Sequence, residues 1–262
     1  MKLDVYKVDA FASELFTGNP AAVMPLTEWL PDALMQQIAM ENNLSETAFF
    51  VKEGDQYTIR WFTPTVEVAL CGHATLASAH VLYNHLGYTE DAIPFVSPKS
   101  GPLPVTRNGD KITLDFPCAP LTAVPSMEPV LSSLNTNILE VYRGTTDFLA
   151  VLESEEAVRN FVPDFERIKQ SECRGIIITA KGKDVDFVSR FFAPLAGVNE
   201  DPVTGSAHTM LTPYWAKALN KENLTALQVS PRGGQLWLTL QGYRVLIAGT
   251  AKTFLTGTIQ LT

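Results

Sequence analysis

Tyr57-Thr58-Ile59-Arg60-Trp61-Phe62-Thr63-Pro64, leading into Gly72-His73-Ala74, has a counterpart later in the chain. It is Phe187-Val188-Ser189-Arg190-Phe191-Phe192-Ala193-Pro194, leading into Gly205-Ser206-Ala207. The arginine and proline positions are offset by 130 residues and the glycines by 133. Each stretch reads as a strand, a proline-bounded loop, a glycine and then a helix, and the shared order predicts a duplicated fold. The first helix is expected over about 73–86, with Gly87 as its C-cap. Its apolar residues Ala74, Leu76, Ala77, Ala79, Val81, Leu82 and Leu86 are not confined to one stripe, as in a buried helix. The second, about Ser206 to Leu219, carries Pro213, which removes a backbone donor and predicts a kink or a break.

Working outward, Leu3–Phe11 and Ala21–Leu26 read as strands around a turn at Thr17-Gly18-Asn19-Pro20. Pro31 suits the first turn of a helix reaching about Asn42, with Leu34, Ile38 and Ala39 on its apolar face. Ser45–Val51 and Gln56–Phe62 read as further strands. Short strands follow the buried helix, and then Pro117, Pro120, Pro125 and Pro129 mark the best crossing between halves. The expected domains are residues 1–117, with the C-terminal strand 252–262 as a candidate to join them, and residues 118–251.

Hydrophobic residues make up 46% of the 262, and charged residues 18% against a usual figure of about 25%. That leaves material for a sizeable core and excludes a disordered chain. The net charge of -8, with no run of Lys or Arg, argues against a nucleic-acid partner. Charges in Met1-Lys2-Leu3-Asp4-Val5-Tyr6-Lys7 fall where a signal peptide needs its apolar stretch, and no run approaches the ~18 apolar residues of a membrane span. Cys71, Cys118 and Cys173 are odd in number and far apart, unlike a disulfide framework. The expectation is a soluble, reduced, cytoplasmic protein that works neither on nucleic acid nor in a membrane.

Chemistry concentrates at the two glycine junctions. The first N–H groups of a helix have no internal partner and the aligned peptide dipoles favour negative charge there. If the halves face each other, both junctions line one cleft, and a carboxylate, sulfate or phosphate is expected within reach of both. The alternative is that Gly72 and Gly205 merely let the chain turn. His73, in the first turn, is expected neutral, able to donate and accept. Cys71 is either a nucleophile activated by the helix start or a small buried hydrophobe. Glu46, at the mouth of the apolar run Ala48-Phe49-Phe50, is either a solvated strand-end acid or a carboxyl raised toward general acid–base work by a dry wall. Asp201, ahead of the second junction, either orients a substrate amine or a histidine, or does ordinary turn chemistry before Pro202. The four histidines show no metal-ligand spacing, and neither a P-loop nor GxGxxG occurs.

Gly18-Asn19-Pro20-Ala21-Ala22-Val23, Asn43-Leu44-Ser45-Glu46-Thr47, Cys71-Gly72-His73-Ala74-Thr75 and Glu200-Asp201-Pro202-Val203-Thr204-Gly205-Ser206-Ala207 resemble the PhzF-like phenazine-biosynthesis family. The four motifs keep the family's order and span nearly the whole chain. The resemblance implies an α+β, diaminopimelate-epimerase-like fold: two pseudo-symmetric halves, each a mostly antiparallel sheet or barrel wrapped around a central helix. It implies a cofactor-free isomerase, often a homodimer, with no metal, acting on a small anionic metabolite. The proton-moving glutamate of the namesake, which acts on trans-2,3-dihydro-3-hydroxyanthranilate, falls on Glu46. The substrate-binding histidine, aspartate and serine fall on His73, Asp201 and Ser206, with Gly72 and Gly205 presenting backbone N–H groups. Diaminopimelate epimerases use two opposed cysteines before these glycines. Cys71 fits the first position, but Thr204 takes the second, which disfavours two-thiol racemisation. Many members lack phenazine chemistry, so fold and reaction type transfer better than substrate. The expected activity is a proton shift by Glu46, with a Cys71-dependent epimerase or racemase and a non-catalytic binding dimer as alternatives.

Overall fold

A computed structural model of the chain describes residues 1–125, 134–171 and 173–261. In chain order these form β1 (Lys2–Ala10), β2 (Asn19–Leu26), α1 (Asp32–Asn42), β3 (Glu46–Glu53), β4 (Gln56–Phe62), β5 (Glu67–Val68), α2 (Gly72–His85), β6 (Ala92–Ser97), β7 (Gly101–Asn108) and β8 (Lys111–Pro117). Then come β9 (Thr122–Ala123), β10 (Ile138–Arg143), β11 (Asp147–Leu152), α3 (Glu155–Asn160), α4 (Phe165–Lys169), β12 (Gly175–Lys181), β13 (Phe187–Ala193) and β14 (Val198–Asp201). The last are α5 (Gly205–Leu219), β15 (Asn223–Gln228), β16 (Gly234–Gln241), β17 (Arg244–Gly249) and β18 (Ala251–Gln260). Pro129, one of the four prolines read as a crossing, lies outside the described residues.

The chain divides into two compact units, Met1–Asp115 with the residues from Ala248 on, and Phe116–Ile247. In the first, β1–β2 is antiparallel, β2–β3 parallel, β3–β4 antiparallel, β4–β6 parallel and β6–β7 antiparallel. In the second, β10–β11, β11–β12, β12–β13, β13–β15 and β15–β16 run through the same alternation. Two parallel pairs per unit join an antiparallel majority, so each sheet is mostly antiparallel, as expected. The parallel pairs follow from connectivity: helical segments join both strands of each parallel pair in the first unit, and a parallel step needs such a crossover. Strand β18 returns to pair antiparallel with β1, from Lys2 opposite Gln260 to Ala10 opposite Ala251.

Duplication extends to side chains. Arg60 makes a forked bond to Glu67 (2.8 and 3.1 Å), and Arg190 the same to Glu200 (2.7 and 2.9 Å). Thr75 donates to the carbonyl of Cys71 at 2.6 Å, and His208, in the matching helical turn, sits 2.8 Å from the carbonyl of Thr204.

Helix α2 buries His73–Ala79 without interruption, then Val81–Tyr83, and packs against β1, β2, β3 and β18. That fits its lack of a single apolar stripe. It ends at Leu86, whose N–H reaches Val81, and Gly87 supplies the left-handed φ of 69°. Of the kink or break expected at Pro213, helix α5 shows no break: it runs on to Leu219. The carbonyl a proline at 213 leaves without its helical partner is that of Thr209, and the Ala119 N–H reaches it at 3.2 Å. A tertiary bond thus replaces the helical one. The other face of each sheet carries its own core. In the first unit Met24, Met35, Ile38, Phe49 and Phe62 pack around α1; in the second Phe148, Val158, Ile168, Ile178 and Phe192 pack around α3 and α4. Each such side chain contributes about 1.5–3 kcal/mol by leaving water.

Candidate active site

In the first unit three chain segments deliver polar groups to one spot. Gly18 has φ 71°, and a Cβ there would meet the Ala10 carbonyl at 2.3 Å, so only glycine makes this turn. The turn sets Asn19 as the first residue of β2, fully buried. Helix α1 ends at Asn43 in the left-handed conformation, and the chain re-enters the sheet with Glu46 first in β3, in the parallel register that places it opposite Ala21. Cys71 is the N-cap of α2 and His73 its second residue.

His73 is the hub. Asn19 Nδ2 lies 3.2 Å from its Nδ1, and Cys71 Sγ 3.6 Å from the same nitrogen. Its Nε2 lies 3.3 Å from Glu46 Oε2, within reach but not aligned for a hydrogen bond. Burial pushes the imidazole pKa down to about 3, so the ring is neutral at neutral pH. With Asn19 donating to Nδ1, the ring proton belongs on Nε2, facing the carboxylate. The Glu46 side chain keeps 19% of its exposure, so it is shielded but open on one side.

The apolar wall next to Glu46 is only partly the expected one. Side chains alternate along a strand, so Ala48 and Phe50 share its face. Phe49 points to the other, packing edge-on to Phe62 in the α1 core.

Donor atoms of Glu46, Cys71 and His73 all lie within 4.8 Å of one another, and no further His, Cys, Asp or Glu joins them among the described residues. A thiol, an imidazole and a carboxylate are ligands a zinc-type cation accepts. Spacing along the chain gave no sign of this trio, because Glu46 comes from a different element.

In the second unit Gly205 opens α5, Thr204 is its N-cap and Ser206 its second residue. The Thr204 hydroxyl does not cap the helix; it donates to the Asp201 carboxylate. Gln228 fixes this turn, accepting from the Thr204 N–H at 2.8 Å and donating to the Asp201 carbonyl at 2.7 Å. Ser206 Oγ accepts from Arg174 at 3.1 Å, and Arg174 forks onto Asp147, with Nε 2.8 Å from Oδ1. Asp201, Gly205 and Ser206 therefore sit together at one helix start, as Gly72 and His73 do at the other.

A family model described as phenazine biosynthesis-like protein matches residues 8–257. The chain belongs to this PhzC-PhzF family. An uncharacterised isomerase of Pseudomonas aeruginosa is 53% identical over 261 residues, covering all of both chains. The crystal structure of a PhzF-family phenazine biosynthesis protein of Enterococcus faecalis is 52% identical, with a TM-score of 0.96 over the whole of both chains. A hydroxyproline epimerase of Agrobacterium vitis shares the fold alone, with 12% identity and a TM-score of 0.60 over 98% of this chain and 92% of its own. The α+β, epimerase-like architecture of the PhzF family is thus that of this chain. No helix among its described residues is long and apolar enough to cross a membrane.

Sequence reading missed three groups of this PhzF-like site. Asn19 stood in a quoted motif without a role, although a polar residue opening an apolar strand is the signal that it needs a partner. Gln228 and Arg174 belong to no motif, and only the fold brings them to α5.

Proposed function

We propose that the chain is a cofactor-independent isomerase in which Glu46 moves a proton between two carbons of a small anionic substrate. The observation that carries this reading is the neutral His73 ring placed between Asn19 and Glu46. In the first half-reaction a C–H bond breaks and an O–H bond forms on Glu46, while the electron pair stays on the substrate as a delocalised anion. In the second the Glu46 acid returns that proton to a different carbon, so no oxidant or reductant is needed. A small turn of either side chain brings His73 Nε2–H, 3.3 Å from Glu46 Oε2, into line to orient the carboxylate. The N–H groups at the start of α2 steady the negative charge that develops. The substrate-holding roles that the resemblance gives Asp201, Gly205 and Ser206 are part of the same proposal, as are a homodimer and a small anionic metabolite as partners.

The Cys71 epimerase reading is weaker. It needs a second base, and the Thr204 hydroxyl, in the equivalent N-cap, already donates to Asp201.

Glu46→Gln keeps size and hydrogen bonding but removes the base. Turnover of a screened substrate is expected to fall at least ~10²-fold. In deuterated water the wild type is expected to place deuterium on the carbon that gains the proton. Near wild-type turnover in the variant would show that Glu46 is not the shuttle.

A further inference from the structure

His73 Nε2 is buried and makes no aligned hydrogen bond, although Glu46 Oε2 lies only 3.3 Å from it. A buried polar atom in that state is stabilised by any partner able to reach it. Cys71 Sγ lies beside the same ring, 3.6 Å from Nδ1.

We infer that Glu46, Cys71 and His73 form a binding site for a thiophilic divalent cation of the zinc and cadmium kind, and that the ion shuts the active site by occupying the Glu46 carboxylate. The second half of this inference rests on Glu46 as the proton shuttle, and the first half does not.

Geometry, donor chemistry and charge support it. Donor atoms of the three side chains all lie within 4.8 Å of one another. Bonds of about 2.0–2.3 Å to a tetrahedral ion set its ligand atoms roughly 3.3–3.6 Å apart. The Nε2–Oε2 separation of 3.3 Å already fits, and the thiol closes its gap by turning about Cα–Cβ. Sulfur and imidazole nitrogen suit zinc or cadmium, whereas magnesium and calcium take oxygen ligands. A thiolate and a carboxylate carry two negative charges, so a divalent ion leaves this shielded cluster neutral. Burial already holds the ring in the neutral form that ligates a metal. Thr204 and Ser206 take the positions of Cys71 and His73 at the start of α5, and their hydroxyls do not select such an ion.

The protons also balance. An ion on Nε2 requires the ring proton on Nδ1, and a half-turn of the Asn19 amide puts its oxygen there as acceptor. The Cys71 thiol proton leaves to the buffer. Glu46 keeps 19% of its side-chain exposure, which gives the ion an entry path and leaves a fourth position for water.

The competing account is a polar cluster that only surrounds the shuttle. Reduced, chelator-treated full-length protein is titrated with cadmium, whose thiolate charge-transfer absorption in the ultraviolet reports a sulfur ligand. The wild type is expected to bind one cadmium ion, to yield it to zinc and to ignore magnesium. The Cys118→Ser/Cys173→Ser variant should keep the absorption and Cys71→Ser should lose it. Affinity should fall at least ~10-fold in Glu46→Gln and in His73→Gln. A wild type that binds no cadmium, an absorption that survives Cys71→Ser, or undiminished affinity in folded Glu46→Gln would overturn the site. Zinc-loaded enzyme is expected to lose turnover and to regain it with a chelator, and full or raised turnover on loading would overturn the blocking role. The absorption needs no turnover, so the cation site and the Glu46 shuttle can fail independently.

Discussion

Asn19 presents its amide to Nδ1 of His73, and that bond fixes which ring nitrogen carries the proton facing Glu46. Replacing Asn19 by Leu would bury an acceptor without its amide donor. The expected loss of stability is about 1–3 kcal/mol, read from the urea midpoint, and turnover should fall even in conditions where the protein stays folded. Cys71 touches the same nitrogen more distantly, at 3.6 Å, and is buried. Cys71→Ser is expected to retain most of the turnover. Complete, stoichiometric inactivation of the wild type by a thiol reagent, with substrate protecting, would instead favour the epimerase reading. At this scale the sequence named candidate residues but not what they touch. Glu46, Gly72, His73, Asp201, Gly205 and Ser206 all stood in motifs. That His73 faces Glu46, and that Ser206 faces Arg174, depends on contacts between residues far apart in the chain.

Helix α5 tests how a tertiary bond offsets a local penalty. A proline inside a helix costs ~3 kcal/mol relative to alanine when nothing compensates. Here Ala119 already serves the Thr209 carbonyl. Pro213→Ala should therefore stabilise by well under that figure, and a gain near the full value in chemical denaturation would show that the Ala119 bond contributes nothing. The paired strands β13 and β14 make a second test. Arg190 is 9% exposed and Glu200 15%, so Glu200→Gln leaves a shielded guanidinium without its counter-ion, at a cost of roughly 3 kcal/mol. Periodicity and turn chemistry placed most first-unit elements within a residue or two, because strands such as Gln56–Phe62 and the all-round apolar α2 have strong local patterns. Two things escaped. The helix break at Pro213 failed because its rescue comes from Ala119, distant in sequence. The expected mostly antiparallel sheets hold, but which strands pair in parallel was not legible, because parallel pairing is a property of connections, not of any one strand.

Stability of the whole molecule should respond to pH through its buried histidines. Burial pushes the pKa of His73 down to about 3, and those of His208 and His80 to about 4. In the unfolded chain each returns to about 6.5. Between those values the unfolded state binds more protons than the folded one, so stability rises with pH and is lost as pH falls below about 6.5. Each histidine adds up to about 1.4 kcal/mol per pH unit within its window. The unfolding midpoint is expected to drop steadily from pH 7 to pH 4.5, well before most carboxylates titrate. A flat profile over that range would mean that the imidazoles are not held neutral.

The return of β18 to β1 has a consequence for biosynthesis. The segment 116–247 is made before the residues that complete the sheet begun by Lys2–Ala10. The later unit can finish folding first, while the earlier one waits with the β18-facing edge of β1 unpaired. Such an edge is a template for wrong partners. A released chain truncated after residue 247 should therefore be cut by protease in its first hundred or so residues but resist within the segment after 116. Order of synthesis and order of completion run in opposite directions.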